Sequence, residues 1–201
     1  MRIGVNALYL IPGGVGGTEI YLSCLLDALA AIDTENRYVV FTNRETPVDW
    51  VPAPANFERA PQPVRATLRA VRILWEQTGL PLAAARHRLD VMFNPGFTAP
   101  LLARCPNVTV FHDLQHKRRP ENFRKLDLLS WRALLYASAR RSRRIIAVSQ
   151  TTRADLARYY GFAASRVAVI PHGVEPRFFE IGRERCARVS EPFLLCVSTL
   201  H

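Results

Sequence analysis

RIGVNALYLIPGGVGGTEIYLSCLLDALAAID, residues 2–33, decides the fold. Residues 2–7 are a short, nearly continuous apolar run, the pattern of a strand covered on both faces. Gly13, Gly14, Gly16 and Gly17 then crowd into five positions. A helical pattern follows from Thr18 to about Asp33, with Leu22, Leu25, Leu26 and Leu29 on one stripe. Strand, glycine bend and helix in this order aim backbone N–H groups, and the positive end of a helix dipole, at the space above a sheet. Anions bind there, phosphates above all. The bend is not a P-loop, because no Lys-Ser or Lys-Thr follows the glycines. It is a poor dinucleotide fingerprint too: Glu19 stands where a third glycine belongs, and the predicted second strand ends at Asn43 without an acid suited to a ribose. The plainer use of such glycines is a tight turn that needs positive φ.

Working outward, strand-like and helix-like runs alternate. Strands are predicted at 37–43, 90–94, 108–112, 145–149 and 167–171, with a weaker one at 57–60. Helices are predicted at 65–77, 122–142 and 150–160. Asn122 suits the N-cap of the second of these. Ser149 or Gln150 precedes the third, and Gly161 ends it. The proline-rich stretch 44–63 reads as a surface loop around one short strand. The fold class is therefore α/β: a doubly wound, mostly parallel Rossmann-like sheet with helices on both faces. Ligands of such sheets lie beyond the carboxyl ends of the strands. Four motifs fall there: the glycine loop, Asn94-Pro95-Gly96, His112-Asp113 and Ser149-Gln150.

The chain has 201 residues and a formal net charge of +10. Between Lys117 and Arg144, ten basic residues face only Glu121 and Asp127, so this segment alone carries +8. Such a block attracts a phosphate-rich partner. Arg140, Arg141, Arg143 and Arg144 are the candidate contacts to an anionic membrane. Nucleic acid fits less well, since no stacking motif or recognition-helix pattern is present. No apolar run approaches a membrane span, and the N-terminus lacks a small-x-small cleavage site. Cys24, Cys105, Cys186 and Cys196 have no C-x-x-C spacing, which predicts reduced thiols in a cytoplasmic protein, with a peripheral contact at the inner membrane face.

His112 is the candidate for chemistry. It ends a predicted strand at the ligand edge, where an imidazole can donate to a substrate oxygen or take a proton. The plainer reading is a loop histidine with Asp113 closing a turn. His116 completes H-x-x-x-H with His112, but that spacing aligns two metal ligands only on a continuous helix, so no metal is expected. Ser149 lacks the G-x-S-x-G elbow, and no protein nucleophile is indicated.

GGVGGTEIY with its leucine helix, FHD at 111–113, AVSQTTRADL at 147–156 and VIPHGVEPRFF at 169–179 resemble, in this order, family 4 of the retaining glycosyltransferases. The resemblance implies the GT-B fold, in which two Rossmann-like domains face a cleft, and covers the N-terminal, acceptor-side domain. It implies transfer of a sugar, mannose-like among the options, from a nucleotide diphosphate sugar to a lipid-linked or polysaccharide acceptor. In that scheme Gly16 and Gly17 approach the donor diphosphate, and His112 lines the reaction centre. Asp113, Asn94 and Ser149 border the acceptor pocket. No cofactor beyond the donor, and no metal, is implied. His172 departs from the family, which more often has asparagine there.

The expected division is 1–174 for this domain. Residues 175–201 then form a linker and, at 193–197, the first strand of a C-terminal nucleotide-sugar-binding domain that would carry the family's E-x7-E glutamates. The chain alone is then expected to be inactive. The rival reading is a non-catalytic basic module that holds anionic membrane or polymer. A nicotinamide oxidoreductase is a third, weakened by the missing ribose acid.

Overall fold

The computed structural model describes residues 1–14 and 16–184. The chain divides into two units, Met1–Pro171 and His172–His201. The first holds seven strands: β1 (Arg2–Ala7), β2 (Arg37–Thr42), β3 (Phe57–Pro61), β4 (Val91–Asn94), β5 (Asn107–Phe111), β6 (Ser142–Ala147) and β7 (Val167–Val169). All pair in parallel, in the order β3-β2-β1-β4-β5-β6-β7. The chain winds one way from β1 to β3 and returns past it to β4. This places a topological switch point between β1 and β4, where open α/β sheets bind ligands.

Five helices belong to this unit: α1 (Gly17–Ile32), α2 (Arg69–Arg86), α3 (Gln115–Arg118), α4 (Lys125–Arg141) and α5 (Gln150–Tyr160). Alternation along the strands sorts the core into two faces. Leu22 and Leu26 of α1 pack on Val5, Ala7, Tyr38 and Val40. On the other face α2 covers Val39, Phe41 and Met92, while α4 and α5 cover Phe111, Ile145 and Ala147. The register pairs Gly4 with both Val39 and Met92, and Phe111 with Ala147, so these positions share a side.

The sequence misplaces two helix boundaries. α2 runs on to Arg86, beyond the predicted end at 77, through Gly79 and Pro81. Both are breaker signals, but Leu80, Pro81, Ala83 and Ala84 are buried, and packing against β2, β3 and β4 outweighs propensity. The glycine has its own reason: the Trp75 ring occupies the space a Cβ at 79 would take. α4 begins at Lys125 behind Arg124, and Asn122, predicted as its cap, lies in a preceding 3-10 turn, Pro120–Asn122. At α5 the expected signals hold. Ser149 Oγ accepts the Thr152 N–H at 3.0 Å, and Gly161 ends the helix in the left-handed region at φ 70°.

In the second unit, α6 (Pro176–Glu184) occupies part of the predicted linker. Phe178, Phe179 and Ile181 are exposed there, and Arg177 pairs with Glu175 at 2.6 Å. The strand predicted at 193–197 lies outside the described residues.

Candidate functional site

The loop after β1 splits its glycines into two pairs. The Gly14 N–H donates to the Ile11 carbonyl at 2.7 Å, and the Gly13 N–H donates to both carboxylate oxygens of Glu19 at 3.1 and 3.0 Å. Gly16 and Gly17 are the N-cap and first residue of α1, where helix amides lack intrahelical partners. The second pair is therefore the one that offers donors and the helix dipole to an anion. Gly13 and Gly16 have φ of 70° and 62°, conformations that side chains other than glycine resist.

A ring of contacts ties this loop to His112. The Tyr21 ring, one turn into α1, meets the imidazole edge-on with centroids 5.3 Å apart. From the other side Phe97 approaches at 5.2 Å. Nε2 of His112 lies 2.8 Å from the Pro95 carbonyl. A carbonyl only accepts, so Nε2 carries a proton in this contact. Gly96 packs under Tyr9 so closely that a Cβ there would lie 2.6 Å from the ring. The Tyr9 hydroxyl donates to the Thr18 carbonyl at 3.2 Å and closes the ring at α1. Burial, reinforced by Tyr21 and Glu19, raises the Tyr9 phenol well above its ordinary value, so it remains a donor. Thr152 Oγ1 donates to the His112 carbonyl at 3.0 Å and adds the start of α5. Gly16, Gly17 and His112 thus sit on one edge of the sheet, at the strands' carboxyl ends.

The remaining predicted site residues are placed differently. Asn94 is fully buried. It accepts from Asn6 Nδ2 at 3.3 Å and donates to Asn107 Oδ1 at 3.0 Å. It pins the end of β4 beneath the site and does not border an open pocket. Ser149 spends its hydroxyl on the α5 cap and on Thr152 Oγ1 at 3.0 Å. Asp113 is exposed and accepts the Gln115 N–H at 3.0 Å, closing the turn into α3. His116 turns away to the Tyr160 hydroxyl, 2.8 Å distant, inside the α4–α5 packing. Arg140, Arg141, Arg143 and Arg144 are exposed around the start of β6, at the opposite edge of the sheet from His112. Two of them hold the fold: Arg141 Nε donates to the Leu101 carbonyl at 2.8 Å, and Arg144 to that of Ser165 at 2.7 Å.

Sequence reading missed Tyr9, Tyr21 and Phe97, because aromatic residues at these spacings read as core. Phe97 carries one strong anomaly, a φ of 70° in a bulky residue, which the sequence does not signal. It also missed a charged pair under the same edge. Arg72 and Glu76 of α2 are buried, one helical turn apart, with Nη1 3.3 Å from Oε2. Glu76 Oε1 has no hydrogen-bond partner. Burial pushes the Glu76 carboxyl up, opposed first by Arg72 and then by Thr98 and Asn6. Among the described residues no helix is long and apolar enough to cross a membrane.

No curated protein matches the chain. Solved structures do. The apo form of the lipopolysaccharide outer core galactosyltransferase WaaB aligns at a TM-score of 0.58 and 13% identity, over 87% of this chain and 46% of that one. UDP-GlcNAc 2-epimerase from Methanocaldococcus jannaschii aligns at 0.52 and 13%, over 86% and 46%. The UDP co-structure of MnaA from S. aureus aligns at 0.55 and 12%, over 84% and 43%. The chain spans about half the length of these proteins, and at such identities they show a shared fold, the Rossmann-like α/β half found in GT-B enzymes. The model for Glycosyltransferase Family 4 matches residues 15–178, from the glycine loop through the start of α6, and the chain belongs to that family.

Proposed function

We propose that this chain is the acceptor-side half of a retaining glycosyltransferase that moves a hexosyl group from a nucleotide diphosphate sugar to a lipid-linked or polysaccharide acceptor. The observation that carries the reading is the common edge shared by the Gly16 and Gly17 amides and His112, bridged by Tyr21. In this reading the two amides and the α1 dipole meet the negative charge that grows on the leaving diphosphate. His112, held by Pro95 and flanked by Tyr21 and Phe97, lines the reaction centre beside the transferred sugar. Fixing the ring beforehand removes a reorganisation cost at the moment of transfer. No protein nucleophile and no metal is invoked. The nucleotide-binding glutamates belong to a second domain, which the full reaction requires.

The test is turnover of the full-length protein with a panel of nucleotide sugars. His112→Ala is expected to lower kcat by about 100-fold or more with the fold intact, the scale of losing one preorganised polar contact in a transition state. Unchanged turnover with a native unfolding profile would remove His112 from the mechanism. Binding of nicotinamide dinucleotide in place of any nucleotide sugar would overturn the family role as a whole.

A further inference from the structure

A cavity of about 410 Å³ opens beside the glycine loop, on the outer side of α1. Ile20, Ser23 and Cys24 line it from α1, Gly13 and Gly16 from the loop, and Trp50 from the 3-10 turn Val48–Trp50 after β2. It is distinct from the contact ring around His112: Tyr9, Tyr21 and Phe97 do not line it. Its size falls in the lower range of small-molecule sites. Three features narrow the occupant. An indole and an isoleucine side chain supply apolar wall, and Ile20 is 60% exposed although it sits mid-turn in a helix with a buried face available. Ser23 and the Glu19 carboxylate supply a hydroxyl and acceptor oxygens. That carboxylate is held in place by the Gly13 amide and so is a fixed hydrogen-bond acceptor at the wall.

A neutral polyhydroxylated ring satisfies all three conditions, with a C–H face for the indole and hydroxyls for Glu19 and Ser23. We infer that this cavity is a subsite for a neutral sugar ring of the acceptor, with Trp50 as its platform and Glu19 as its hydroxyl acceptor. The inference rests on the glycosyltransferase reading for the word acceptor. The binding of a neutral glycoside stands or falls separately. Gly16 borders both the proposed diphosphate contact and this cavity, and the Gly13–Glu19 bond shapes the cavity's side of the loop.

Cys24 supplies a reporter inside the cavity, since its thiol is exposed. The experiment measures alkylation of Cys24 by a bulky maleimide, read by peptide mass spectrometry. Methyl α-mannoside, methyl β-galactoside and methyl β-glucoside are the probes. At least one glycoside is expected to slow alkylation threefold or more. Trp50→Ala should abolish the protection and Trp50→Phe should keep part of it. Ser23→Leu, which fills the cavity from its α1 wall, should abolish it too if Trp50→Ala proves unstable. Protection by no glycoside, or equal protection in Ser23→Leu, would overturn the inference. Failure of nucleotide-sugar turnover with glycoside protection intact would instead overturn the transferase reading and leave a glycan-binding site.

Discussion

His116 shows how one residue type serves two purposes within five positions. His112 is partly exposed at the sheet edge, whereas His116 is 2% exposed against Tyr160. Burial, with Lys117 and Arg132 adding repulsion, lowers the His116 pKa from 6.5 to about 4. In the unfolded chain this imidazole takes up its proton near 6.5, while the folded chain resists until about 4. The unfolded state therefore binds more protons across that window, and stability falls as pH drops through it. Urea unfolding between pH 7.5 and 4.5 should show this decline, and His116→Gln should flatten it. An unchanged slope in the variant would assign the acid sensitivity elsewhere. Position along the chain marked His112 as the strand-end residue but did not show where His116 lies. What separates them is that β5 ends at Phe111, which leaves His112 at the rim while α3 turns His116 back under α5.

At the scale of the element, α2 carries the largest internal conflict. Its buried Arg72–Glu76 pair has a single 3.3 Å contact and one carboxylate oxygen with no partner. Such a pair offsets its own desolvation poorly, yet removing one member leaves a lone charge inside the protein. Arg72→Ala should cost about 3–5 kcal/mol in urea unfolding, whereas Arg72→Met with Glu76→Leu should restore most or all of it. Equal losses in the single and double variants would show that packing, rather than charge, dominates the site. The helix itself was legible in its first half, where the apolar spacing is regular. Its second half was not, because Gly79 and Pro81 argue locally for a stop that burial against the sheet overrides.

For the whole molecule, the net charge of +10 and the sheet's polarity pull the functional picture in two directions. Arg140, Arg141, Arg143 and Arg144 stand at the amino-terminal edge of β6, and the candidate site at the carboxyl-terminal edge. A strand of six residues spans roughly 20 Å, so a membrane met by these arginines lies about that far from His112. Arg141 and Arg144 are tied to backbone carbonyls, so Arg140 and Arg143 make the cleaner test. At about 1 kcal/mol for each basic residue at an anionic surface, Arg140→Gln with Arg143→Gln should lower partitioning onto phosphatidylserine vesicles by roughly 30-fold at low salt. Unaltered partitioning would remove this edge as a membrane contact and leave the acceptor free to approach from the site's own side.

The alternating apolar runs determined that a parallel α/β sheet forms, and the glycine cluster determined that its first loop meets α1 through a glycine N-cap. Both are local properties: strand burial and positive φ are written in residue type and short-range spacing. Tertiary structure alone decided which residues surround His112, because Tyr9, Tyr21, Pro95 and Phe97 come together only after β1, β4 and β5 pair side by side. It also decided that Asn94 is a buried tie and that the arginines face away from the site. Those outcomes depend on strand order and helix direction, which no single stretch of the chain encodes.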